Sequence, residues 1–179
     1  MRDNELSILL SGFMDEAAIS SGWNFLVVQN NQPTQQGVPT EPTAFFQHVI
    51  DHPYGWPISN HEYNFQSGDF NDISTQLWET TFQISSLVLQ DPANISRPTA
   101  KDVVNYIKQY MAHRNTIERL MSQSINILKI GNVRNHYFED DMHRFEDYPN
   151  FDLTFTHNKQ LTLKVPAVHS AEAELIKGV

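Results

Sequence analysis

The chain has 179 residues, no cysteine, and a formal net charge of −9 from 12 Lys and Arg against 21 Asp and Glu. The length suffices for one domain with its own core. The absence of cysteine excludes disulfides, thiol catalysis and cysteine-ligated zinc, and no apolar run is long enough to span a bilayer. The charge is unevenly placed: Met1–Gln90 holds one basic and ten acidic residues, whereas Asp91–Val179 holds eleven of each. Phosphate binding draws on Lys and Arg, so this balance argues against a protein that grips nucleic acid.

From Asp3 to about Ser20 the spacing predicts a helix, with Leu6, Leu9, Leu10, Phe13, Met14, Ala17 and Ala18 on one stripe. Asp3 is its expected cap and Gly22 its stop. Asp3, Glu5, Asp15 and Glu16 surround the short apolar patch here, so no signal peptide is expected. Trp23–Gln29 reads as a strand, apolar on both faces and therefore central in a sheet. Asn30–Thr43, with Pro33, Gly37, Pro39 and Pro42, reads as a long loop, either a floppy surface connection or a contact to neighbouring subunits or rings. Ala44–Asp51 is a second apolar strand, His52–Pro57 a turn cluster, and Ser59–Asn71 has no clear period.

Ile73–Gln90 is the longest strand candidate, with Trp78, Phe82, Ile84 and Val88 on one parity. It exceeds the usual strand length, so it is expected to bend at a bulge or to leave the sheet as an arm. Thr99 with Asp102 forms a capping-box signal for a helix whose buried stripe is Val103, Val104, Ile107, Tyr110 and Met111. Asn115 with Glu118 predicts a second cap, a break near His113, and a short helix through Ile117, Leu120 and Met121. Ile125–Phe138 returns to strand with a bulge at Gly131. Phe151, Leu153 and Phe155, then Leu161, Leu163 and Val165, alternate with polar residues on either side of His157-Asn158-Lys159. That pattern predicts a half-buried hairpin turning at His157–Lys159. The tail from Ser170 reads as short helix or frayed chain. The expected architecture is α+β, a mostly antiparallel sheet flanked by helices, in a single domain: residues 1–22 helix, 23–166 sheet-and-helix core, 167–179 tail.

Chemistry-bearing residues do not assemble into a recognisable catalytic pattern. His136, Glu139, Asp140, Asp141 and His143 form the densest metal-capable group, but on a turn without rigid ligand spacing, so a solvated acidic turn is the expectation. No Gly-x-Ser-x-Gly elbow and no phosphate loop occurs. Asp69 and Asp72 could pair for acid–base work only if the fold brought them together. Tyr54, Trp56 and Trp78 could stack on a ring, though core or turn packing is the commoner role of aromatics. The expected catalytic, cofactor and metal residues are therefore none.

Three pieces taken in order resemble the bacteriophage neck and tail-terminator proteins, sometimes called gateway proteins. They are the loop QNNQPTQQGVPTEPT between two apolar strands, the alternating strand LWETTFQISSLVL followed by two helices, and INILKIGNVRNHYFED leading into RFEDYPNFDLTFTHNKQLTLKVP. The resemblance spans Trp23 to Pro166; it departs at Pro149-Asn150, where the family often has an arginine. It implies a tail-terminator-like fold and a non-enzymatic virion protein, assembled in the host cytoplasm into a hexameric ring that terminates the tail and joins it to the head connector. Its implied partners are collar, tail and sheath proteins, with double-stranded DNA passing through the lumen unbound and no membrane. The acidic first half (Asp15, Glu16, Glu41, Asp51, Glu62, Asp69, Asp72, Glu79) would suit such a lumen, leaving Arg114, Arg119, Arg134 and Lys164 for contacts between subunits or rings. Alternatives are another neck ring, such as a head-completion or adaptor protein, a small metal-dependent hydrolase built on His136–His143, and a monomeric binding module using Trp56.

Overall fold

A computed structural model describes residues 3–30, 41–66, 68–89, 94, 96–139 and 145–165. Along the chain run α1 (Asp3–Ser21), β1 (Leu26–Gln29), β2 (Thr43–Asn64), β3 (Asp69–Leu87), α2 (Ala100–Ala112), α3 (Arg114–Ser122), β4 (Ile125–Ile130), β5 (Arg134–Glu139) and β6 (Phe145–Val165). The strands form one sheet in the order β1-β2-β3-β6-β4, with β5 also paired to β6. Only β1 with β2 is parallel; every other pairing is antiparallel. This is the α+β class with the mostly antiparallel sheet that the pattern predicted.

The core lies on one face of this sheet. Directly opposed residues share a face, and the rows Phe46–Ile84–Phe151 and Phe82–Leu153 are all buried. Over them pack Leu6, Leu10, Phe13 and Met14 of α1, Val103, Val104, Ile107 and Met111 of α2, and Leu120 of α3. The α1 stripe is thus as the spacing required, and the helix ends one residue before Gly22. Asp3 is the first helical residue, and its carboxylate pairs with Lys159. The capping box at α2 is complete: Thr99 Oγ1 accepts from the Asp102 amide, and Asp102 accepts from the Thr99 amide. The break falls at His113, which caps α3 through its Nδ1; Asn115 supplies the amide, not the cap, and Glu118 pairs with Arg114.

Four sequence expectations are corrected. The segment Phe145–Val165 is one unbroken strand, not a hairpin turning at His157–Lys159. Its apolar residues before and after that tripeptide are all odd-numbered, so parity is conserved without a turn, and His157 itself points into the core-facing side. The cluster His52–Pro57 is likewise no turn: β2 runs through it and through Ser59–Asn64, with register shifts between His48 and Ile50 and between Tyr54 and Ile58. Beyond its pairing with β1, β2 is an edge strand, where Pro53 and Pro57 interrupt no ladder on their free side. The strand β1 is shorter than expected and lies at the sheet edge, not its centre. Finally, Ile125–Phe138 splits into β4 and β5 at Gly131, while the bulge sits between Ile127 and Lys129. At Gly131 an added Cβ would lie 3.1 Å from the Asp152 carbonyl oxygen, which accepts the Gly131 amide at 2.7 Å.

The charge asymmetry of the sequence has a structural use. Glu16 of α1 receives both guanidinium nitrogens of Arg119, at 2.6 and 2.7 Å, and the Tyr110 hydroxyl at 2.8 Å. Arg119 also lies over the Phe13 ring. The guanidinium hydrogen bond holds the Glu16 carboxyl at about 2, below its ordinary 4.5. Such a carboxylate stabilises the fold above its ordinary range and ceases to as pH falls through its lowered value. Glu16→Gln is therefore expected to flatten the loss of thermal stability between pH 4.5 and about 2, measured by circular dichroism. Phe82→Ala, which empties the centre of the core row, is expected to cost about 3–5 kcal/mol in urea denaturation.

Candidate functional site

The three longest strands outrun the helices that cover them. Residues 52–64 of β2, 69–79 of β3 and 157–165 of β6 continue, with one register shift between Tyr54 and Ile58, as a three-stranded arm. At about 3.3 Å per residue, its roughly ten rows project about 30 Å. The expected arm on β3 is thus present, but two further strands accompany it. Its large apolar side chains stand in solvent: Trp56 is 93% exposed, Phe65 90% and Ile58 76%, with Tyr54, Leu161, Leu163 and Val165 also exposed. At the tip Tyr63 meets Phe65 edge-to-face and Phe70 at a tilt, each with centroids 5.0 Å apart. Tyr54 and Trp56 therefore do not serve the core or turn packing expected of them, and Trp78 lies half-buried under the Lys159 ammonium, 4.3 Å from its ring centroid.

Where the arm leaves the core, a polar cluster joins four elements. Thr80 Oγ1 donates to Asp51 Oδ1 at 2.5 Å. Since that uses the only hydroxyl proton, the 2.9 Å contact between Thr80 and His157 is donated by His157 Nε2–H. His157 is 1% exposed and its Nδ1 has no partner among the described residues. His48 Nε2 lies 3.0 Å from Asp51 Oδ1, and Lys159 Nζ bridges Asp51 Oδ2 at 3.2 Å and Asp3 Oδ1 at 2.6 Å. Burial works to raise the Asp51 carboxyl, but hydrogen bonds from Thr80, His48 and Lys159 outweigh it and hold it at about 2. Burial, then the Lys159 charge, lowers His157, which fits a neutral ring with its proton on Nε2. The cluster fixes β2, β3 and β6 to the start of α1 at the arm's root.

The helix-free face of the sheet is polar. Asn30 donates to Gln47 at 3.4 Å, Gln47 to Gln83 at 2.9 Å and Gln83 to Asp152 at 3.5 Å, and Arg134 closes the row on Asp152 at 2.6 Å. Thr81 and Thr154 pair beside it at 3.0 Å. The sequence showed these residues as the polar half of an alternation; their lateral continuity became visible only with the register.

The other sequence candidates separate. Asp69 and Asp72 are three apart on β3 and so point to opposite faces, Asp69 opposite Asn64 and Asp72 opposite His61. Asp140, Asp141 and His143 lie outside the described residues, as do residues 31–40 of the long loop and the tail from residue 166. His136 is exposed on β5, and among the described residues no group of three or more His, Asp or Glu side chains could hold a metal ion. No described helix is long and apolar enough to cross a membrane. The acidic residues of the first half do not gather on one face: Asp15 and Glu16 lie on α1, Asp51 and Asp72 on the helix-facing side of the sheet, and Glu62, Asp69 and Glu79 on the opposite side. Arg114, Arg119 and Arg134 are held by Glu118, Glu16 and Asp152 of the same chain.

Compared with known proteins, residues 5–167 match the family model described as E217 gateway protein gp29. Among solved structures, the chain is similar to the PVC sheath/tube terminator of an extracellular contractile injection system in its extended state, with a TM-score of 0.45 and 9% identity. That match covers 96% of this chain and 64% of the other, so this chain spans under two thirds of that protein's length. No curated protein matches the sequence significantly.

Asp51→Asn is expected to lower stability at neutral pH by about 2 kcal/mol, the order of a charged hydrogen-bond network. It should also remove the part of the acid destabilisation that falls between pH 3.8 and about 2, since a depressed carboxylate stabilises above its ordinary range and stops doing so below its lowered one. Urea denaturation across that range checks both statements.

Proposed function

The chain belongs to the family of the E217 gateway protein gp29, and from that premise we propose that it assembles into a closed, hexameric ring in the phage neck, terminating the tail and joining it to the head connector. As a gateway protein it is a structural component of the virion, not an enzyme. The observation that carries the ring reading is the arm: a three-stranded ribbon with apolar side chains exposed along it and no described helix above them. Exposed apolar surface of this kind marks a protein–protein contact, and head-to-tail contacts that close on themselves make a ring.

In this reading all 179 residues form one domain, residues 1–22 as its helix, 23–166 as its core and 167–179 as its tail, without catalytic, cofactor or metal residues. Collar, tail and sheath proteins stack on the ring, which forms in the host cytoplasm, and double-stranded DNA passes its lumen without specific binding. What supports passage over grip is the pairing of Arg114, Arg119 and Arg134 with carboxylates of their own chain, since a neutralised guanidinium has little left for phosphate.

Light scattering and negative-stain electron microscopy of the purified protein are expected to show rings with a central hole. Leu161→Asp with Leu163→Asp, both at exposed arm positions, should leave the circular dichroism spectrum unchanged and abolish the rings. A wild-type chain that stays monomeric at high concentration would overturn the ring and favour a monomeric binding module presenting Trp56.

A further inference from the structure

The sheet has two short, apolar edges, and both are open among the described residues. One is β1, of sequence LVVQ; the other is β4, of sequence INILKI. Strands apolar on both faces belong inside a sheet, where each face is covered and each edge paired. The edge position of β1 therefore contradicts its own composition. Leu26 is 49% exposed, and Ile8 of α1 stands 65% exposed beside a groove lined by Ser7, Val27, Val28 and Phe46. On the other edge Leu128 is 55% exposed. The amides of Leu26 and Asn30 donate inward, to Pro42 and Phe46, at 2.9 and 2.8 Å. Alternation then turns the Val27 backbone groups outward.

The arm portion of β2, a further free edge among the described residues, is built differently. It carries Pro53, Pro57, one register shift between Tyr54 and Ile58, and Gly55 at φ 69°, which are devices that block strand addition. Between Leu26 and Gln29 there is no proline, charge or register shift.

We propose that the open edge of β1 pairs with the open edge of β4 of a second copy of this chain, so that the sheet runs on from one subunit into the next. This rests on the ring reading and names its joint. Direction and charge both fit. Within one sheet β1 is parallel to β2, and three antiparallel steps through β3 and β6 lead to β4, so β4 runs opposite to β1. With the strands inclined along the ring axis, rotation about it keeps that relation, and the two edges meet antiparallel, in a heterologous contact. At the β1 edge the exposed Glu41 adjoins Pro42, the acceptor of the Leu26 amide. On β4 the exposed Lys129 opposes Thr154 and so lies on the helix-free face, the face of Leu26. Neither Glu41 nor Lys129 has an ion-pair partner among the described residues. Antiparallel addition brings them together.

The test uses the absence of native cysteine. Leu26→Cys protein mixed with Lys129→Cys protein and oxidised is expected to give a disulfide-linked dimer of the two variants, and the double variant a ladder ending at the closed ring. In parallel, Glu41→Lys and Lys129→Glu should each weaken assembly about tenfold, as like charges at an interface do, and the double swap should restore it. Circular dichroism checks that each variant folds. Rings that form while the mixed cysteines stay unlinked and both reversals assemble normally would overturn the edge pairing and leave the ring standing. Linking by Leu26→Cys alone would replace it with a symmetric β1–β1 contact. A wild-type chain that never assembles would overturn both.

Discussion

The structure depends on the unbroken parity of β6. A strand alternates its side chains across the sheet with period two, so a row begun on the core side stays on that side for as long as the strand runs. In β6 that row is Phe151, Leu153, Phe155, His157, Lys159, Leu161, Leu163 and Val165. Its first three members are sealed under the helices, and its last three stand in solvent. His157 and Lys159 occupy the boundary. They are the polar residues of the row, and they fall where the helical cover ends. His157 is still fully buried and answers to Thr80; Lys159 reaches out to Asp51 and Asp3. One strand thus serves as the spine of a core and of an exposed arm, with a fixed polar joint between them.

The same economy appears in the charges. The first half carries the whole net charge, and a one-sided distribution read along a sequence suggests a one-sided surface. Folding gives it another role. Glu16 meets Arg119, and Asp51 and Asp3 meet Lys159, so the acidic half is held against the later half at both ends of α1. The Arg119 pair is partly exposed, and its contribution is screened accordingly. The Asp51 pair is better shielded and sits within a hydrogen-bonded cluster, where removing one member strands the rest.

What was legible in the sequence followed from local physics. The α1 stripe, the Thr99–Asp102 capping box, the break at His113 and the length of β3 all depend on residues within a few positions of one another. What was misread depended on pairing. Pro53, Gly55 and Pro57 are turn residues in most settings, yet on the free side of an edge strand they cost no hydrogen bond. The polar tripeptide His157–Lys159 imitates a turn, and only the shared parity of Leu153 and Leu161 argued against it. The arm-root cluster draws on α1, β2, β3 and β6, so no sequence window contains it. Its local signal was His157 and Lys159 standing in an otherwise apolar row.

An arm of this composition carries apolar surface that no described helix covers. A three-stranded ribbon gains stability by packing at least one face, and here Leu161, Leu163, Val165, Tyr63 and Phe70 share the helix-facing side without a described helix above them. Water is a poor neighbour for such a row, and a chain kept as a monomer would leave it exposed. The polar root holds the ribbon to the core in the isolated subunit, so the arm is oriented before anything covers it. A pre-oriented apolar surface loses less conformational freedom on docking than a loose segment would. Rigid strands, a locked root and apolar rows exposed among the described residues are therefore parts of one design, whose missing layer the proposed ring would supply.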